Sequence, residues 1–263
     1  MLRPAPAGAG FFAGNMALLA YLKSELSGLF DLLLPPTCAI CRSEVPSLLS
    51  PAGICPNCLA QLLPLPTARC PRCALPYPTD EGRPHLCEAC LRQLPGFSGV
   101  VAVGVYRDLL RESIHRFKYE QGIHLDYPLG ALLAQRLATD APEFRPELIL
   151  PVPLHPRRLR ERGYNQSLLL ARRLGKLLRV PTESRRLRRI RPTPPQQGLP
   201  LADRQRNLRG AFALSAPLRG EKILLIDDVM TTGATLRECA QVLESGGAGD
   251  ILVAVLGRAA RHH

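Results

Sequence analysis

Lys222 to Ala248, KILLIDDVMTTGATLRECAQVLESGGA, admits few folds. Ile223 to Ile226 is an unbroken apolar run, the pattern of a strand buried on both faces of a parallel sheet. Two adjacent carboxylates, Asp227 and Asp228, stand at its carboxyl end, and Thr231, Thr232, Gly233 and Thr235 make a turn rich in hydroxyls. Leu236, Ala240, Val242 and Leu243 then recur at helical spacing until Gly246-Gly247 ends the run. The chemistry of such a turn favours a phosphorylated sugar. Backbone N–H groups and the dipole at a helix start attract an anion, and Gly233 lets the backbone come close to it. The paired aspartates are acceptors suited to vicinal sugar hydroxyls, at the sheet edge where ligands of open α/β sheets bind. An ordinary strand-to-helix loop with a threonine cap explains one hydroxyl and leaves the carboxylate pair unexplained.

The stretch resembles the ribose-5-phosphate loop of type I phosphoribosyltransferases, with two acids, two threonines and Gly-x-Thr after a hydrophobic strand. The resemblance implies that phosphoribosyl pyrophosphate (PRPP) binds here. Asp227 and Asp228 are then expected on the ribose hydroxyls, and Met230, Thr231, Thr232, Gly233, Ala234 and Thr235 around the 5-phosphate. A P-loop is excluded, because the stretch has no Gly-Lys-Ser/Thr.

Eight of the nine cysteines form four CxxC pairs, Cys38/Cys41, Cys55/Cys58, Cys70/Cys73 and Cys87/Cys90, and the last four repeat the first four at an offset of 32. Each half has a zinc-ribbon spacing, and two thiolate turns facing each other make a tetrahedral four-cysteine site. Two structural zinc sites are the reading this spacing favours. An iron–sulfur cluster uses similar thiolates, disulfides suit a secreted chain, and a cross-brace pairs the turns differently from sequential ribbons. The intervening segments are rich in proline and cannot build a core, so metal binding supplies their folding energy. Cys239 stands alone on the helix after the turn and reads as a small buried apolar residue.

The chain has 263 residues, 46% of them hydrophobic, which is ample for a core. Aromatics are 5% and tryptophan is absent, which argues against an aromatic base-stacking platform. The formal charge is +12; eight thiolates and two zinc ions lower it by about 4, to about +8. There is no transmembrane-length apolar run, so no stable membrane insertion is expected. Residues 1–30 read as an extension and most of an amphipathic helix, which runs from Ala17 to Leu34 with Leu18, Leu22, Leu26, Leu29 and Leu33 on one face. Met16 is an alternative start. A signal peptide fits poorly because Lys23 and Glu25 interrupt the apolar stretch, and a cytoplasmic location is expected.

Between the cysteines and the acidic turn, Gly99–Tyr106 and Glu147–Pro153 read as strands. Asp108–Phe117, Asp126–Ala138 and Asn165–Leu178 read as helices, Leu214 lies in a strand, and Ile251–Leu256 is the last strand. Strands alternating with helices indicate an α/β fold with a mostly parallel sheet flanked by helices. The loop after Pro153 carries His155, Arg157, Arg158, Arg160 and Arg162, then Gly163, Asn165 and Gln166. Arginine forks there suit a pyrophosphate, although a solvated basic loop has the same composition. Leu187–Phe212 is proline-rich, basic and long for a connection. It reads as a flap with Arg191, Thr193, Gln196, Arg204 and Asn207 as contacts, or as a linker.

Taken together, the paired cysteines, HRFKYEQG (115–122), PVPLHPRRLRERGYNQS (151–167), RPTPPQQGLPLADRQRN (191–207) and the acidic turn are similar to the ComF/GntX-type family. This family joins a double zinc ribbon to a type I phosphoribosyltransferase-like domain. The resemblance implies a ribbon over 31–95 and a transferase-like domain over 96–263. It also implies Mg2+ carried with PRPP, and Lys118 among the substrate contacts. Asp227, Asp228 and Arg162 become the catalytic candidates. Family members are associated with natural competence, beside a helicase, or with gluconate use. Three activities are compatible with the residues: phosphoribosyl transfer to an unidentified base or amine; docking to a competence helicase with single-stranded DNA binding; and PRPP sensing without turnover. The oligomeric state is not legible.

Overall fold

The computed structural model describes residues 35–45, 51–62, 64–78, 83–119, 122–191 and 208–260. The expected N-terminal helix lies outside them. Numbering strands in chain order, β1 (Gly99–Val105), β2 (Leu148–Pro151), β5 (Ile223–Met230) and β6 (Ile251–Arg258) form an all-parallel sheet in the order β1-β6-β5-β2. The apolar runs arise because the central strands are covered on both sides. Ile223 and Leu225 face one layer, Leu224 and Ile226 the other, and every residue of β6 is buried. Each such leucine or isoleucine contributes roughly 1.5–3 kcal/mol by leaving water. Asp227 and Val229 pair with Val255 and Gly257 of β6, so β5 continues through the acidic pair to Met230.

Helices α3 (Asp108–Tyr119), α4 (Asp126–Asp140) and α6 (Gln166–Leu178) pack on one face, and α7 (Ala234–Ser245) on the other. Helix α6 starts where Asn165 Oδ1 accepts the Ser167 N–H at 3.0 Å, and it buries Leu170, Ala171 and Leu174. Cys239 is fully buried on α7, as its apolar surroundings in the sequence suggest.

Two expectations needed correction. The strand holding Leu214 does not join the main sheet. β4 (Phe212–Leu214) pairs antiparallel with β3 (Leu187–Arg189), a strand at the start of the basic segment. The segment from Pro153 to Gly163 is not all loop. Pro156 at the first helical position and His155 at the cap start a short helix, α5 (Pro156–Arg162), which Gly163 closes in the left-handed conformation.

The cysteine region is two copies of one small unit, containing α1 (Pro56–Gln61) and α2 (Glu88–Arg92) respectively. The bridge Thr37–Glu44 recurs as Arg69–Pro76, and positive φ at Arg42 recurs at Ala74. The first unit packs with α3, α4 and α6, the second with α7. The ribbons therefore sit on opposite faces of the sheet. Among the described residues, no helix is long and apolar enough to cross a membrane.

Candidate functional site

The acidic pair lies at the carboxyl edge of the sheet, and its two members have different partners. Asp227 Oδ1 accepts from Ser167 Oγ and from the Asp228 backbone N–H, both at 2.9 Å. Burial, and then the charge of Asp228, push the Asp227 carboxyl up to about 7 against these hydrogen bonds. Asp228 Oδ1 forms an ion pair with Lys118 Nζ at 3.0 Å, and both side chains are over four-fifths shielded. Burial pulls the Lys118 ammonium down, but the attraction of Asp228 and then Asp227 outweighs it and its pKa lies above the ordinary lysine value. Lys118 comes from the last turn of α3 and Ser167 from the first turn of α6, so three elements meet at the pair.

Thr231, Thr232 and Gly233 turn the chain from β5 into α7, enclosing with Asp227 and Leu236 a small cavity of about 20 Å³. Gly233 has φ +79°, and a Cβ there would lie 2.5 Å from Met230 Cε. Thr232 Oγ1 accepts the Ala234 N–H at 3.4 Å. Ala234 and Thr235 occupy the first turn of α7, where N–H groups point at an incoming anion. A much wider cleft, about 1070 Å³, opens beside α7 between Gln93–Gly96 and Arg209–Gly210. It lacks the acidic pair.

β2 neighbours β5 in the sheet, so α5 rises from the same edge as the acidic turn. Arg162 donates to the Tyr119 hydroxyl at 2.8 Å, lies over the Tyr119 ring at 4.8 Å, and reaches Gln166 Oε1 at 3.4 Å. Gln166 is buried and donates to the Lys118 carbonyl at 3.3 Å, while Asn165 Nδ2 donates to the Val152 carbonyl at 3.0 Å. These two side chains order the corner that carries Lys118 and Arg162. Arg157 is exposed and pairs with Glu161 at 3.0 Å, and Arg158 lies close enough to Arg189 to depress its pKa, after burial as the main cause. Arg191 donates to the Arg209 carbonyl at 2.6 Å, at the root of the β3–β4 hairpin. Thr193, Gln196, Arg204 and Asn207 lie outside the described residues.

Each cysteine unit gathers four sulfurs within 4.8 Å of one another: Cys38, Cys41, Cys55 and Cys58, and separately Cys70, Cys73, Cys87 and Cys90. Cys41 Sγ lies 3.6 Å from Cys55 Sγ, and Cys73 Sγ lies 3.6 Å from Cys87 Sγ. A tetrahedron of ~2.3 Å zinc–sulfur bonds needs about 3.8 Å. Backbone N–H groups of Cys55 and Cys87 point at Cys38 Sγ and Cys70 Sγ, as thiolates require. The quartets are therefore sequential ribbons, not a cross-brace, and they fit zinc.

Comparison with known proteins agrees with both halves. A double zinc ribbon domain matches residues 29–95 and a phosphoribosyl transferase domain matches 165–262. The DNA utilization protein YhgH of Salmonella typhi is 36% identical over 86% of this chain and 99% of its own length. Competence protein F of Haemophilus influenzae is 35% identical over 84% of this chain and 96% of its own. The chain belongs to the ComF/GntX-type family. Among solved structures, a purine phosphoribosyltransferase from Pyrococcus horikoshii is 20% identical over 49% of this chain and 70% of its own, with a TM-score of 0.32. That overlap is too loose to carry an argument.

The sequence of this ComF-family chain points to the acidic pair, Lys118, Arg162 and the turn; Lys118 and the turn lie beside the pair, and Arg162 lies at the corner with Tyr119 and Gln166. It does not point to Ser167 or Tyr119. Ser167 sits 60 residues from Asp227 in the chain, and the only signal for it is its place directly after Asn165-Gln166.

Proposed function

We propose that this ComF-family protein binds PRPP with Mg2+ at the β5–α7 turn and transfers its phosphoribosyl group to a base or amine. The observation that carries the reading is the acidic pair one turn away from the N–H groups of α7. Acceptors for a sugar diol and donors for its phosphate then share one edge. On binding, the ribose hydroxyls take the place of Lys118 on Asp228, which leaves the ammonium for phosphate oxygens. Mg2+ when bound neutralises pyrophosphate charge and is held mainly by the ligand itself. As pyrophosphate departs, the anomeric carbon gains positive charge, which the carboxylates of Asp227 and Asp228 offset. Arg162 and the corner it stabilises receive the leaving group. Isothermal titration with PRPP and Mg2+ tests this: saturable binding by the wild type is expected, with a loss of at least about tenfold in affinity for Asp228→Asn. No heat with the wild type overturns it. Release of pyrophosphate in a screen of bases and amines separates transfer from sensing.

A second reading is favoured by the relatives, which are named for DNA utilization and competence. In it the basic surface follows single-stranded DNA and a ribbon docks a helicase. Salt-dependent strand binding and helicase capture by the intact protein are expected; neither being present removes this reading.

A further inference from the structure

Arg258 ends β6 and is 3% exposed. Its Nε donates to the Cys73 carbonyl at 2.8 Å and its Nη2 lies 3.8 Å from Cys73 Sγ. Its Nη1 is 2.5 Å from the Thr231 carbonyl, 3.1 Å from that of Met230 and 2.7 Å from that of Ala259. One planar cation thus touches a ligand of the second cysteine quartet and the first residues of the phosphate turn. Arg237 repeats the connection from the first turn of α7: Nη2 lies 3.3 Å from Cys90 Sγ, and Nη1 donates to the Gln93 carbonyl at 2.8 Å. Sulfurs of the first quartet are held differently, by the backbone N–H groups of Ile40, Cys55 and Cys58 and by the Ser43 hydroxyl.

The arrangement has a physical reason. Four thiolates around a divalent ion leave two negative charges, and a buried guanidinium needs an anionic partner. Buried Arg258 meets both needs at the second quartet, and half-buried Arg237 adds a second positive charge there. A guanidinium is rigid and its donors are fixed in direction, so whatever fixes Cys73 fixes the carbonyls on the other side of the fork. Those carbonyls set the direction of the chain just before Thr232 and Gly233.

We propose that Arg258 is a positioning residue that makes the second zinc centre part of the phosphate turn: metal at Cys70, Cys73, Cys87 and Cys90 holds the Met230–Thr231 backbone in its anion-binding form, and metal at the first quartet does not. The effect on ligand affinity rests on the PRPP reading; the mechanical coupling does not.

Hydrogen exchange on the full chain, read by mass spectrometry over residues 230–236, tests the coupling without any ligand. Cys90→Ser and Arg258→Met are expected to speed exchange in this peptide by about tenfold or more, while residues 223–226 keep their protection. Cys58→Ser, in the first quartet, is expected to leave the turn near wild type. In the cobalt-substituted protein, Arg258→Met is expected to shift the thiolate-to-metal band, and Arg258→Lys to recover part of the shift. Equal exchange in Cys58→Ser and Cys90→Ser, or unchanged exchange in a folded Arg258→Met, overturns the proposal. If Arg258→Met does not fold, the two cysteine variants decide alone. PRPP titration of the wild type judges the functional reading separately, because its failure leaves the exchange result intact.

Discussion

Ionising Asp227 works against its surroundings. The carboxyl is shielded from water, and its neighbour Asp228 carries the same charge; together these hold its pKa near 7. In an unfolded chain an aspartate titrates near 4. Between those values the folded state holds the extra proton, so the sign is the reverse of the usual carboxylate. The stability contributed by protonated Asp227 is fully present below about pH 4 and is lost as pH rises through 7, at no more than ~1.4 kcal/mol per pH unit. Asp227→Asn keeps an acceptor for Ser167 and removes the titration. Paired thermal melts should therefore show the variant gaining on the wild type between pH 5 and pH 8. A gap independent of pH counts against the assignment. If PRPP binds as proposed, its affinity is expected to weaken as pH falls below 7, because the ionised form of Asp227 would hold the diol.

At the scale of elements, the turn between β5 and α7 depends on one backbone conformation. Gly233 at φ +79° lies in the left-handed region, and an added Cβ meets the end of the Met230 side chain. A methionine terminus can swing aside, so the backbone strain dominates, about 1–2 kcal/mol. Gly233→Ala is expected to lower stability by about that much in urea titration, and to weaken PRPP binding further because the N–H groups that follow are re-aimed. Loss of stability with unchanged binding would separate the turn from the ligand. This element was legible in the sequence because burial on both faces leaves a continuous apolar run, and because the helix beyond it has one apolar side. Hairpin β3–β4 was not legible. Its strands are three residues each, and Arg188 and Arg189 break the alternation that marks a half-buried strand. Helix α5 was hidden for a related reason: it buries no side chain, so it has no periodicity to read. Ser167 and Arg258 act across 60 and 185 residues of chain respectively, and contacts at that range leave no local pattern.

In the molecule as a whole, an internal repeat of 32 residues places its two copies in different surroundings. The copies share spacing, bridges and backbone turns, yet they meet different faces of the sheet. The first copy is anchored near α3, where Arg116 donates to the Ile40 carbonyl at 2.7 Å, and it leaves Cys41 exposed. All four cysteines of the second copy are buried, with Arg237 and Arg258 against its sulfurs. A chelator must reach a ligand before it can remove the ion, so exposure of even one thiolate opens the first site to associative attack. The second site has to wait for local opening of the surrounding core. Zinc release to a chromogenic chelator from the loaded protein is therefore expected in two phases of one equivalent each, the faster from the first quartet. Cys58→Ser should abolish the fast phase and leave the slow one. Cys90→Ser should abolish the slow phase and, through Arg258, loosen the phosphate turn. A single phase releasing both equivalents would mean that the two centres open together and that their placement on opposite faces does not make them independent.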